Sequence, residues 1–286
     1  MRRIIGKLTM SMPDLGESWL ILLLLVAGQL AVSFSAVLIA PEVSGMPAAM
    51  PVMYVLAYIF PFSYIYWKGA GRLRGKASVP EAPSVFGKPS GRTLAVYAVS
   101  AVIMEAALVF LLSIVPPVMD IPDWYVNTLS GLHGSNLVFT LITVAVAAPL
   151  LEEFLFRKVI LDGLSSRMRP WPAVIWSSVL FAVAHLNPWQ ALPALILGCF
   201  FGWVRLVTGS WWTTVGLHAL NNAVTVAVAA VYGPDTALGG SPQTLAQDPV
   251  SMILCVLSVL VLAAGTVLFV KYGKSLNNHE KSDISH

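Results

Sequence analysis

Between Pro170 and Val204 the chain runs 35 residues without a charged side chain. A helix that crosses a bilayer needs about 20 predominantly apolar residues. The run is therefore too long for one crossing, and Asn187-Pro188 offers the break, because proline disfavours helix in the residue before it. Read the same way, the sequence predicts eight spans: 17–39, 47–67, 93–118, 136–157, 172–187, 189–207, 211–232 and 250–271. The fifth is short, and is expected to be tilted, partly re-entrant or buried by its neighbours. Only 11% of the residues are charged and 57% are hydrophobic, whereas a soluble domain carries about 25% charged residues. The expected fold class is an all-α, polytopic membrane bundle of about eight transmembrane helices, forming one domain over 1–286.

The charges sort with that span count. Arg2, Arg3 and Lys7 precede the first span, and Lys68, Arg72, Arg74, Lys76, Lys88 and Arg92 surround the second connection. Arg157, Lys158, Arg167 and Arg169 flank the fourth span, Arg205 ends the sixth, and Lys271, Lys274 and Lys281 follow the eighth. With eight spans all 17 basic residues fall on one side, and the opposite connections carry Glu42, Asp120, Asp123, Asp235 and Asp248. The positive-inside rule then puts both termini in the cytoplasm. Trp19, Trp67, Trp124, Trp171, Trp189, Trp211 and Trp212 fall near span ends, as interface anchors do. The first span exceeds the ~7–15 apolar residues of a signal peptide, so it is expected to stay as a helix. Segment 68–92 reads as a basic cytoplasmic loop that can lie on anionic headgroups, and 272–286 as a disordered tail. Cys199 and Cys255 form no disulfide or metal motif and read as small core residues. A net charge of +3 gives no argument for a nucleic-acid partner.

Polar groups inside the spans are few: Glu105, Glu152, Glu153, His185, Asn187, His218, Asn221 and Asn222. A charge well inside a bilayer costs roughly 3 kcal/mol or more, so such residues point to function. Glu153 and Arg157 are spaced i,i+4 with the acid first, the better order for a helical ion pair. Glu152 is rotated by about 100° from Glu153, so the two carboxylates are not expected to share a partner easily. Phe181 and His185 are i,i+4, as are His218 and Asn222. At about 1.5 Å per residue, Glu152 is expected roughly 8 Å from the end of a helix that stops at Arg157. The same rise puts His218 at roughly 10 Å, Asn222 at roughly 16 Å and His185 at roughly 18–20 Å. His185 fits the others only if its helix begins late, near Trp176. A carboxylate and an imidazole can hold and deprotonate water. An imidazole N–H and a carboxamide can stabilise an oxyanion.

Glu152-Glu153-x-x-x-Arg157, Phe181-x-x-x-His185 and His218-x-x-x-Asn222, in that order on three apolar helices, resemble the CAAX-protease and bacteriocin-processing family. These are intramembrane glutamic endopeptidases and include the type II CAAX prenyl endopeptidases. The resemblance covers 136–230. It implies that Glu152 is the general base, that His185 positions the water, and that His218 and Asn222 form the oxyanion site. Glu153 and Arg157 would support the site. It implies no metal or other cofactor. Its substrate would be a membrane-associated protein or peptide, cut near the cytoplasmic face. Lys158, where many members carry glycine, is a departure placed at the cytoplasmic boundary. Charge asymmetry and short loops suggest a prokaryotic cytoplasmic membrane.

Two other readings compete. A zinc protease could use Glu152, His185 and His218 as ligands, although the sequence has no His-Glu-x-x-His. A non-catalytic scaffold or immunity protein could reuse the fold, but every motif residue is present, and a transporter often shows an internal repeat, of which the sequence has none. Glu105 reads as a protonated acid or one hydrogen-bonded to another helix, while His133, His279 and His286 read as solvated.

Overall fold

The structure is a computed structural model and describes residues 8–9, 11–39, 46–74, 90–114, 121–123, 136–232 and 249–284. The regular elements among them are helices. They are α1 (Leu15–Ile39), α2 (Ala49–Ala57), α3 (Ile59–Arg74), α4 (Gly91–Ile114), α5 (Leu137–Ser165), α6 (Pro170–Ala184), α7 (Pro188–Thr208), α8 (Trp211–Tyr232) and α9 (Pro249–Ile284). Helices α2 and α3 are two halves of one rod, so the rods match the eight expected spans one for one. Seven are long and apolar enough to cross a membrane, while α6 has 15 residues. Large apolar side chains such as Leu23, Phe34, Met252 and Ile253 face outward. Glu105, Glu153, Arg157, Asp162, Arg205 and His218 are buried. Polar inside and apolar outside is the arrangement that a lipid solvent imposes, and the chain is a multi-pass integral membrane protein.

Local chemistry sets the helix ends. Asp14 and Glu17 form a capping box on α1: Glu17 N donates to Asp14 Oδ1 at 2.9 Å, and Asp14 N donates to Glu17 Oε2 at 2.9 Å. Glu17 also pairs with Lys68 of α3. The elbow at Tyr58 follows from Pro61, which has no N–H to give the Ala57 carbonyl four residues back. That carbonyl meets α1 at Gly28, where an added Cβ would lie 2.2 Å from it. Gly28→Ala is expected to force the elbow off α1 and cost about 1–3 kcal/mol. Thermal unfolding of the purified variant in detergent checks this, and an unchanged midpoint would contradict it.

Helices α6 and α7 form the most extensive contact in the fold. Gly198 and Gly202 of α7, spaced as G-x-x-x-G, sit against Ser178 and Val174 of α6, a spacing that lets membrane helices approach closely. The turn between them places Leu186 at φ 50°, an uncommon conformation for a non-glycine residue. Asn187 then caps α7, its Oδ1 accepting from Trp189 N at 3.0 Å. Two cores result. One gathers α1, α3, α5, α6 and part of α7, and the other gathers α4, α7, α8 and α9 around Tyr97, Phe201 and Phe269.

Three expectations are corrected. The fourth span does not end at Arg157, since α5 runs on to Ser165. Arg157 and Lys158 do not end the helix, and their charges are met by Glu153 and Asp162 of the same helix. Helix α9 continues to Ile284, through the segment expected to be a disordered tail. Trp124, His133, His286 and residues 75–89 of the basic loop lie outside the described residues.

Candidate active site

Helix α5 carries the acids, and it is not a plain α-helix. Residues Ile142–Ala147 and Phe154–Ile160 are π-helical and flank the α-helical turns Ala148–Glu153. Wide turns of this kind recur at functional sites. In the first of them Ala148 N donates to Thr143 O, five residues back. The Val144 carbonyl would then need the N–H of residue 149, and that residue is proline. Asn222 Nδ2 of α8 fills the vacancy, donating to Val144 O at 2.8 Å. A proline thus creates the acceptor that fixes a motif residue. Asn221 Nδ2 donates to Asn222 Oδ1 at 3.2 Å and orients the same amide further.

Glu153 is fully buried. Its Oε2 lies 3.3 Å from Arg157 Nε, and its Oε1 lies 2.9 Å from His218 Nδ1. Arg157, also fully buried, lies over the Phe181 ring at 4.5 Å, and its Nη2 donates to Gly198 O at 3.4 Å. Arg157–Glu153–His218 is therefore a continuous buried line of charge and hydrogen bonding. Phe201 stacks on His218 at 5.4 Å.

Glu152 stands on the more open side, with 15% of its side chain exposed against 0% for Glu153. Its Oε2 is 3.7 Å from His218 Nε2. His218 is thus hydrogen-bonded to Glu153 and lies within ion-pair range, though not hydrogen-bond range, of Glu152. Imidazole has two nitrogens on different edges, so one ring reaches both carboxylates despite the rotation between them. The other oxygen of Glu152, Oε1, accepts from the Tyr54 hydroxyl of α2.

His185 closes α6. Its Nδ1 lies 2.8 Å from Phe181 O, and a carbonyl only accepts, so Nδ1 carries a proton, which in a neutral ring leaves the lone pair on Nε2. Phe181 meets both histidines edge-on, at 4.8 Å from His185 and 5.8 Å from His218. Glu152, Glu153, Arg157 and His218 are in direct contact, then, while His185 joins them through Phe181. Among the described residues neither His185 nor Asn222 hydrogen-bonds to Glu152.

The longer α5 also brings Glu152 level with His185 when each is counted from its own helix end. From Ser165, Glu152 is roughly 20 Å into the bundle at about 1.5 Å per residue. From Pro170, His185 is roughly 22 Å in by the same rise. The two come level without a late start for α6.

Several polar residues were missed or misplaced from sequence. Tyr54 and Tyr58 carry no motif signal. Asp162 is buried and takes two bonds from Arg205 Nη2, at 2.9 and 3.0 Å, plus one from Lys158 Nζ at 2.6 Å. Lys158 therefore ties α5 to itself, and its i,i+4 spacing to Asp162 was readable. Glu105 is 3% exposed, and among the described residues neither carboxyl oxygen has a hydrogen-bond partner on another helix. Among the described residues no three His, Cys, Asp or Glu side chains are grouped to hold a metal ion.

Residues 134–224 match the family profile described as type II CAAX prenyl endopeptidase Rce1-like. Residues 134–224 are similar to an Rce1-like domain. All six motif residues, Glu152, Glu153, Arg157, His185, His218 and Asn222, fall within the matched segment, whereas Tyr54 and Glu105 lie outside it. Comparison with curated proteins and with solved structures returned no match. The Rce1-like match makes a CAAX-type protease the implied class and a protein the implied substrate.

Proposed function

We propose that the chain is an intramembrane glutamic endopeptidase that hydrolyses a peptide bond of a membrane-associated protein or peptide. The observation that carries this is the Glu152 carboxylate, partly exposed and facing His218 Nε2 across 3.7 Å. That gap is too long for a direct hydrogen bond and leaves Glu152 Oε2 available to a water. In this reading Glu152 takes a proton from the water as its oxygen attacks the scissile carbonyl carbon. The lone pair on His185 Nε2 accepts the water's other hydrogen and holds it in line. The proton on Glu152 then passes to the leaving amine as the C–N bond breaks, which leaves one new carboxyl and one new amine.

His218 has a condition attached. A neutral ring with its Nδ1 proton on Glu153 offers only a lone pair at Nε2. An imidazolium offers an N–H there, and the adjacent buried Glu153 carboxylate supports that charge. In the second form His218 Nε2–H and the spare N–H of Asn222 are the oxyanion donors. A preorganised donor of this kind is worth about 10²–10³ in kcat. The basic flanks support an orientation with both termini cytoplasmic. The scissile bond must then reach a carboxylate roughly 20 Å along α5 from its Ser165 end, deeper than an end at Arg157 implied.

Mass spectrometry on a membrane-anchored peptide incubated with reconstituted protein tests the proposal. Expected are two fragments whose masses sum to the substrate plus one water, formed equally well after chelator washing. An intact peptide carried across the bilayer would indicate transport and overturn the reading. Loss of cleavage on washing, restored by zinc alone, would replace it with a zinc protease.

A further inference from the structure

We infer that Tyr54, backed by Tyr58, is a positioning residue for the Glu152 carboxylate; this rests on Glu152 being the base. Both tyrosines lie outside the matched segment 134–224, so the family match says nothing about them. They come from the α2–α3 rod, whose α2 half packs against the first π-helical turn of α5.

The direction of the chain of bonds follows from the groups. An ionised carboxylate only accepts hydrogen bonds. The Tyr54 hydroxyl therefore donates to Glu152 Oε1, and its oxygen is left to accept. The Tyr58 hydroxyl stands 3.3 Å away and is the donor to it. Tyr58 is 2% exposed, and its ring lies 5.6 Å from those of Tyr54 and Phe62, which holds the relay in place. Successive bonds of this kind polarise one another in a low-dielectric interior.

The consequence is a division of labour between two oxygens of one carboxylate. Oε1 is occupied by Tyr54, and Oε2 is turned to His218 Nε2 at 3.7 Å. Without the phenol the carboxylate could rotate and offer either oxygen, and water would be held in more than one pose. The elbow at Tyr58 is part of the device. Pro61 breaks the rod there, and Gly28 lets the freed Ala57 carbonyl seat against α1, which sets the face that α2 shows to Glu152.

The groups that face Glu152 are Tyr54, Tyr58 and His218, with Glu153 beside it on α5 and paired to Arg157. Removing a donor from an ionised carboxylate makes it easier to protonate. Tyr54→Phe is expected to lower kcat about 10–100-fold, as loss of a hydrogen bond to a charged group does. It should also move the acid limb of the kcat/KM pH profile upward. Tyr58→Phe should move both in the same direction by less. Replacing Tyr54 with 3,5-difluorotyrosine keeps the shape and strengthens the donor, so the acid limb should move the other way even if Tyr54→Phe folds poorly.

Glu152→Gln, measured in parallel, separates the two levels of the claim. If it is inactive while both Tyr54 variants keep the wild-type rate and pH profile, the tyrosine inference is overturned and the Glu152 reading stands. If it keeps full activity, the base assignment fails and the inference fails with it.

Discussion

Arg157→Ala is expected to destabilise the folded protein by about 3–5 kcal/mol, the usual cost of removing one partner of a buried ion pair. Arg157 and Glu153 are both fully buried, with Nε 3.3 Å from Oε2. Truncation strands the Glu153 carboxylate, whose side chain is 0% exposed. It also removes the cation over Phe181 and the donor to Gly198 O. Adding Glu153→Gln to the same protein should recover part of the loss, since the stranded charge goes with it. Lys158→Ala is the internal comparison. Lys158 is partly exposed, and its partner Asp162 keeps both bonds from Arg205. Its loss should stay within about 1 kcal/mol. Denaturation in detergent with a double-mutant cycle over 153 and 157 measures these terms. A change below about 0.5 kcal/mol for Arg157→Ala would mean that the buried line of charge does not hold the site.

Most of the fold was legible because the bilayer is a stringent solvent. Length and hydropathy mark each crossing, and the eight expected runs correspond to the eight helical rods. The end of α5 was not legible, for a physical reason. Hydropathy reads a charge as a boundary, yet Arg157 is neutralised by Glu153, and Asp162 by Lys158 and Arg205. Charges that answer each other across helices 43 residues apart in sequence look, along the chain, like an exit from the membrane.

The site was legible where helical spacing carries it. Glu153 and Arg157 at i,i+4 gave the ion pair, and the ordered motifs singled out Glu152, His185, His218 and Asn222. Spacing within one helix could not show that His218 bridges both glutamates, because that depends on which edge of the ring faces α5. Nor could it find Tyr54, one phenol among eight tyrosines, placed by an elbow that Pro61 and Gly28 make together. The Asn222 contact had a readable half. Pro149 removes the N–H that Val144 O would need in a π-helical turn, but the π register itself had no sequence signal.

Glu152→Gln keeps shape, volume and hydrogen-bonding reach, and removes only the ability to accept a proton. Glutamine still offers an oxygen to Tyr54, so the fold around α2 and α5 should hold. Glu153, Arg157 and the buried line to His218 are untouched. A general base contributes about 10²–10⁴-fold to turnover, and among the described residues no other carboxylate in contact with His218 is open to substrate, since Glu153 is 0% exposed. The decisive measurement is kcat for release of a membrane-anchored reporter peptide by wild type and by Glu152→Gln, at matched thermal stability. A fall of at least about 100-fold with an unchanged melting temperature is the predicted result. Turnover equal to wild type would contradict the account, because the partly exposed carboxylate facing His218 would then play no part in the chemistry.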